Sequence, residues 1–146
     1  MNIKEEIHAL SEEMIANIGR LVAIDSQLGT PEEGKPFGQG PAMVLDEALK
    51  IADELGFKTV NLDNYCGYAE IGEGDDIIGI AGHLDIVPAG GGWTHDPFKL
   101  TREGDYVYGR GTTDDKGPVM EALYAMKLLR DSGVKLNKRI RLIMGC

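Results

Sequence analysis

The chain has 146 residues and a mass of 15.8 kDa, the size of one ordinary domain able to bury about 68–70% of its unfolded surface, which argues against two domains. With 42% hydrophobic and 27% charged residues it is globular, neither a disordered tail nor a coiled coil, and its 20 glycines, about twice ordinary usage, imply many tight turns. Twenty-four acidic against fifteen basic side chains give a formal charge of −9, which disfavours nucleic acid as a partner and suits zwitterionic or basic partners and metal cations.

Ile3, Ile7, Leu10, Met14, Ile18, Leu21 and Val22 recur at steps of three and four, which predicts a first helix, and Asn2 with Glu5 resembles a capping box. From Ile24 to Gln39 the period is lost among Gly29, Pro31, Gly34, Pro36 and Gly38, the composition of a surface loop. A second helix is predicted to open at Gly40 and Pro41, bury Val44, Ala48, Ile51 and Leu55, and close at Gly56. Phe57 to Leu62 and Tyr68 to Ile71 read as two strands joined by a turn at Asp63 and Asn64. Ile77 to Val87 is an apolar run rich in branched residues, expected to form a central strand buried on both faces. A glycine-rich loop from Pro88 to Gly92 leads to a hairpin across Lys99 to Tyr108 that turns near Gly104. Pro118 at a first helical position, a stripe of Val119, Ala122, Met126 and Leu129, and Gly133 past the end predict a third helix. Lys138 to Cys146 alternates as a last strand, and because it has no turn, cap or polar tail after it, the polypeptide is expected to be cut from a longer one.

The uncharged stretch Ile77 to Gly82 is too short to span a bilayer, and Lys4, Glu5 and Glu6 occupy the place where a secretory signal needs an apolar run. Cys66 and Cys146 sit in no metal-ligand spacing and suit a reducing compartment, so a cytoplasmic protein without membrane contact is expected.

His83 and Asp85 lie two apart near the end of the predicted central strand, which puts both side chains on one face. A metal-bound histidine commonly gives its other ring N–H to a carboxylate, and Asp85 is spaced for that; taken alone, however, the pair is better explained as a core histidine satisfied by its neighbour, because structural ion pairs imitate functional ones. Asp114 and Asp115 are adjacent acids in Gly109-Arg-Gly-Thr-Thr-Asp-Asp-Lys-Gly-Pro118, just before the third helix, where capping accounts for one of them but not for both. Two acids in a glycine-lined turn with a His-x-Asp strand upstream favour a carboxylate-plus-imidazole cation site. His95 beside Asp96 reads as a surface histidine, and His8 falls on the charged side of the first helix. Trp93 and Phe98 read as the cover of an apolar rim. Glu5/Glu6, Glu12/Glu13 and Asp75/Asp76 read as solvated faces and turns. Gly72-Glu-Gly74 has no following helix or third glycine, so no phosphate-binding loop is indicated.

Gly82-His-Leu-Asp-Ile-Val-Pro88, Gly92-Trp-Thr-His-Asp-Pro-Phe98 and Tyr108-Gly-Arg-Gly-Thr-Thr-Asp-Asp-Lys-Gly-Pro118 resemble, in order, the signatures of the dinuclear zinc peptidases typified by carboxypeptidase G, aminoacylase and the PepV-type dipeptidases. The resemblance extends to the first helix and the Ala23-Ile-Asp-Ser26 that follows it, and is strongest to the PepV type. It implies that His83 ligates one zinc, that Asp85 supports His83 as part of the catalytic machinery, that Asp114 bridges two zinc ions with Asp115 supporting, and that the Asp114–Asp115 peptide is cis. It also implies that residues 1–146 are the amino-terminal part of a catalytic domain, and that the Glu-Glu pair, the later ligands, the lid domain and the rest of the carboxyl-terminal part lie elsewhere.

The expected fold is therefore α/β, a mainly parallel central sheet flanked by helices in a partial zinc-peptidase catalytic domain, with the ends of the His83 and Cys146 strands opening into one crevice. The expected activity is metal-assisted hydrolysis of a dipeptide or N-acyl amino acid by two zinc ions, with cobalt or manganese as substitutes. One imidazole and one carboxylate are too few ligands for turnover, because catalytic zinc usually keeps three. A non-catalytic metal- or partner-binding module on the same scaffold is the alternative, and a mononuclear phosphohydrolase using Asp114 and Asp115 is a third, weakened by the lack of a phosphate cradle. All of this requires the His83 ring and the Asp114 carboxylate to lie within reach of a common cation.

Overall fold

The computed structural model describes residues 3–146; Asn2, half of the expected capping box, lies outside the described residues. The described residues form three helices, α1 (Ile3–Val22), α2 (Gln39–Glu54) and α3 (Lys116–Asp131), and six strands, β1 (Lys58–Leu62), β2 (Cys66–Ile71), β3 (Ile77–His83), β4 (Thr101–Glu103), β5 (Tyr106–Tyr108) and β6 (Arg139–Gly145), with β1 to β5 between α2 and α3. The predicted elements stand where the sequence puts them, with helix and strand ends shifted by one to four residues. Asp63 and Asn64 carry φ of 52° and 58°, the left-handed pair that a tight hairpin turn between β1 and β2 requires.

The class is α/β as expected, but the sheet is mixed. Its order is β1-β2-β6-β3, and only β3 and β6 run parallel; β1 with β2 and β2 with β6 are antiparallel. The β4–β5 pair forms a separate ribbon. Two expectations for the Ile77 strand are overturned. It ends at His83 rather than Val87, and it lies at an edge of the sheet, where Ile77 and Ile78 are 42% and 49% exposed. Its apolar run is explained by one covered face, because all three helices lie on the same side of the sheet. There Ala69, Leu142 and Met144 meet α2 and α3, while Tyr68, Glu70 and Arg141 occupy the open side. Gly79 and Ala81 fall on the open face, where small side chains expose little apolar area.

The core joins Leu21 and Val22 of α1, Val44, Leu45 and Ile51 of α2, Leu123 of α3 and Leu142 and Met144 of β6, all at most 1% exposed. Only the last turn of the α1 stripe enters it; Ile3 and Ile7 are 62% and 48% exposed. The parallel register sets His83 opposite Gly145, so the carboxyl ends of β3 and β6 lie side by side, and the Leu84 N–H continues the ladder to the Gly145 carbonyl at 2.9 Å.

Candidate metal and catalytic site

Beyond β3 the chain leaves the sheet, and Ser26, fully buried on the segment after α1, takes over as its support. Its hydroxyl donates to the Leu84 carbonyl at 2.7 Å, and its own carbonyl accepts from the Ile86 N–H at 3.3 Å. Leu84 and Ile86 therefore turn inward, and His83 and Asp85 turn toward solvent. The His83 Nδ1 lies 3.2 Å from the Asp85 carboxylate and 3.1 Å from the Asp85 carbonyl, so a proton on Nδ1 is held there; the imidazolium also donates from Nε2, and only loss of that second proton frees the Nε2 lone pair for a cation.

The second arm comes from the turn before α3. Asp115 occupies the N-cap position, yet its side chain makes no cap hydrogen bond; Oδ2 accepts the His83 backbone N–H at 3.2 Å instead. The carboxylate fills the space over Gly82, where an added Cβ would sit 2.7 Å from that oxygen. Capping thus explains neither acid. The Asp114–Asp115 peptide is cis, and the Asp114 side chain, 84% exposed, brings Oδ1 to 3.0 Å from the His83 Nε2.

Burial pulls the His83 imidazole toward neutrality, but the Asp114 hydrogen bond, the Asp85 carbonyl and the charges of Asp85 and Asp115 outweigh it and hold the pKa above its ordinary value. The Cys146 thiol points at the Pro41 carbonyl, and burial pushes it up to about 12, so it is a neutral thiol near pH 7.

Lys116, which the sequence reading passed over, is fully buried. Its ammonium donates to the Leu21 and Ile24 carbonyls, both at 2.8 Å, at the carboxyl end of α1, where a cation is favoured by the helix dipole. Burial lowers its pKa to about 8, against the pull of the Asp25 charge, and leaves it charged at neutral pH. A signal for it existed: Lys116 stands three and seven residues before Val119 and Leu123, on the buried stripe of α3. Gly117 beside it admits no side chain, since a Cβ would fall 2.0 Å from the Thr112 carbonyl oxygen.

The other sequence-derived candidates lie away from this cluster. His95 is not a free surface histidine: its ring packs on Tyr108 with centroids 4.6 Å apart and points at Glu103. His8 is exposed. Glu12 pairs with Arg102 at 2.7 Å and Glu13 accepts from the Tyr124 hydroxyl at 2.9 Å, so these acids tie α1 to the β4–β5 ribbon and to α3 rather than merely facing water. Trp93 is 36% exposed and donates its indole N–H to the Ala89 carbonyl at 2.8 Å.

The donor set suits a divalent cation: one imidazole nitrogen and one carboxylate oxygen converge at hydrogen-bond distance, with a carboxylate behind the imidazole. Among the described residues no group of three His, Cys, Asp or Glu side chains is placed to hold an ion, so the pair is an incomplete set of ligands. Among the described residues no helix is long and apolar enough to cross a membrane.

Residues 79–146 match the family described as peptidase family M20/M25/M40. Over 99% of its length the chain is 43% identical to the putative dipeptidase YtjP of Bacillus subtilis and 43% identical to the Beta-Ala-Xaa dipeptidase of Lactobacillus delbrueckii subsp. lactis. It spans 32% of the length of each. The crystal structure of human carnosine dipeptidase 1 superposes with a TM-score of 0.80 at 28% identity, covering 97% of this chain and 33% of that one.

Proposed function

We propose, from the match of residues 79–146 to the peptidase family M20/M25/M40, that the chain belongs to that family and contributes one side of a metal-dependent dipeptidase site, with zinc as the metal and a dipeptide or N-acyl amino acid as substrate. His83 Nε2 and the Asp114 carboxylate would hold the metal, Asp114 shared between two ions. Asp85 would fix the ring and its proton on Nδ1, and Asp115 would tie the Asp114 turn to the end of β3. When bound, such ions polarise a peptide carbonyl and acidify a water. The chain's own part is to keep two donors in register and to neutralise charge. The observation that carries the reading is the 3.0 Å approach of His83 to Asp114 with Asp85 behind the ring.

Two protein donors fall short of the three that catalytic zinc keeps, so binding by the chain alone is expected to be weak and turnover absent. The same shortfall favours the second reading, a metal-binding module without catalysis. Cobalt titration followed by visible absorption tests both. A weak band that disappears in His83→Ala and in Asp114→Ala is the expected result; a band unchanged by either substitution, or no band at any cobalt concentration, overturns the metal role. Hydrolysis of a dipeptide panel by the metal-loaded chain would overturn the claim that its donors are insufficient.

A further inference from the structure

We propose that Arg110, with Trp93 and Tyr108, forms a subsite for a free carboxylate group of a small peptide or acylamino acid. The proposal builds on the reading above in taking Asp114 as the reacting end of the same cleft. Arg20, Arg102, Arg130, Arg139 and Arg141 each pair with a carboxylate at 2.6–3.5 Å, as expected in a chain carrying nine more acids than bases. Arg110 has no such partner among the described residues.

What holds Arg110 is neutral. One terminal nitrogen, Nη2, donates to the Ala89 and Pro88 carbonyls at 3.0 and 3.4 Å, and the guanidinium carbon stands 5.2 Å from the centre of the Trp93 ring. Nε is buried and has no partner among the described residues. A guanidinium has five N–H donors in a planar fork, so much of its hydrogen-bonding capacity and all of its charge remain uncompensated by the protein. The matching ligand is an anion with two coplanar oxygens.

Arg110 borders an open cleft of about 340 Å³ that Trp93, Tyr108, Thr113 and Asp114 also line, roomy enough for an amino-acid residue. The glycine loop on its other side leaves a second hollow of about 390 Å³ unfilled. Arg110 and Asp114 share the first cleft, so a ligand with its carboxylate on Arg110 extends toward Asp114.

Trp93 is the sole tryptophan of the chain, so its fluorescence reports on this cleft alone. The probes are N-acetylalanine and N-acetylalaninamide, alike in shape but only the first charged, titrated into the metal-free chain with sodium chloride held constant. A saturable change with the acid is expected, weaker by about tenfold or more with the amide and in Arg110→Gln, and partly restored in Arg110→Lys. No saturable change, an equal response to the amide, or an unchanged response in Arg110→Gln overturns the proposal, and Arg110→Lys serves alone if the glutamine variant does not fold. Because neither metal nor hydrolysis enters the measurement, its failure leaves the cobalt result standing, and the reverse also holds.

Discussion

Asp114 and Lys116 are two residues apart and occupy opposite environments. The Asp114 side chain is 84% exposed and touches His83 at 3.0 Å, whereas Lys116 is wholly buried with its ammonium on two carbonyls of the α1 terminus. The same segment after α1 also carries Ser26, which holds Leu84 and Ile86 and thereby the residues beside His83. Both arms of the candidate site thus hang from one buried anchor, and the proposed metal donors sit on tips that contribute little to folding. An exposed pair can be kept in register only by what lies beneath it, since a surface ion pair is worth about 0–1 kcal/mol.

The comparison breaks most readily at Lys116. Lys116→Ala empties the space of a long, fully buried side chain and orphans two carbonyls, and is expected to cost about 2–5 kcal/mol in urea unfolding. Lys116→Met keeps the volume and removes the buried charge, so a smaller loss of about 1–3 kcal/mol is expected. Equal losses in the two variants would show that the ammonium, not the stem, supports the turn. Ser26→Ala, which leaves the Leu84 carbonyl unpaired in the interior, should cost about 1–3 kcal/mol in the same assay and loosen the His83 segment in hydrogen exchange.

At the exposed end the effects on stability should be smallest and those on metal uptake largest. Asp114→Ala is expected to change stability by less than about 1 kcal/mol while abolishing the cobalt band. A pH series sharpens this further. Because the folded His83 pKa is raised above its unfolded value, its stabilising contribution is fully present below the unfolded value of about 6.5 and is lost as pH rises through the folded one. Metal uptake should run the other way, strengthening as the proton leaves Nε2 across that same window. In Asp114→Ala the His83 titration, followed by ring-proton NMR, should move down, because the hydrogen bond that raises it is gone.

Much of this architecture was legible in local pattern. The α1 and α2 periods, the Asp63-Asn64 turn and the Gly104 hairpin each rest on residues within a few positions of one another, and that is why they were read correctly. The likeness of the three motifs to a peptidase family was legible too, because family signatures are strings of neighbouring residues. His95 was misread for the opposite reason: its partner Tyr108 lies thirteen residues away across a ribbon.

The sequence by itself determined the α/β class, the position of the elements and the identity of the side chains proposed as cation donors, since periodicity, turn chemistry and motif are all local properties. Tertiary structure decided the mixed direction of the sheet, the edge position of β3, the burial of Lys116 and the turning of Asp115 away from its helix toward the His83 backbone. Those depend on which distant segments meet, and an apolar strand or a lone lysine reads the same in the chain whether its neighbour is another strand, a helix end or water.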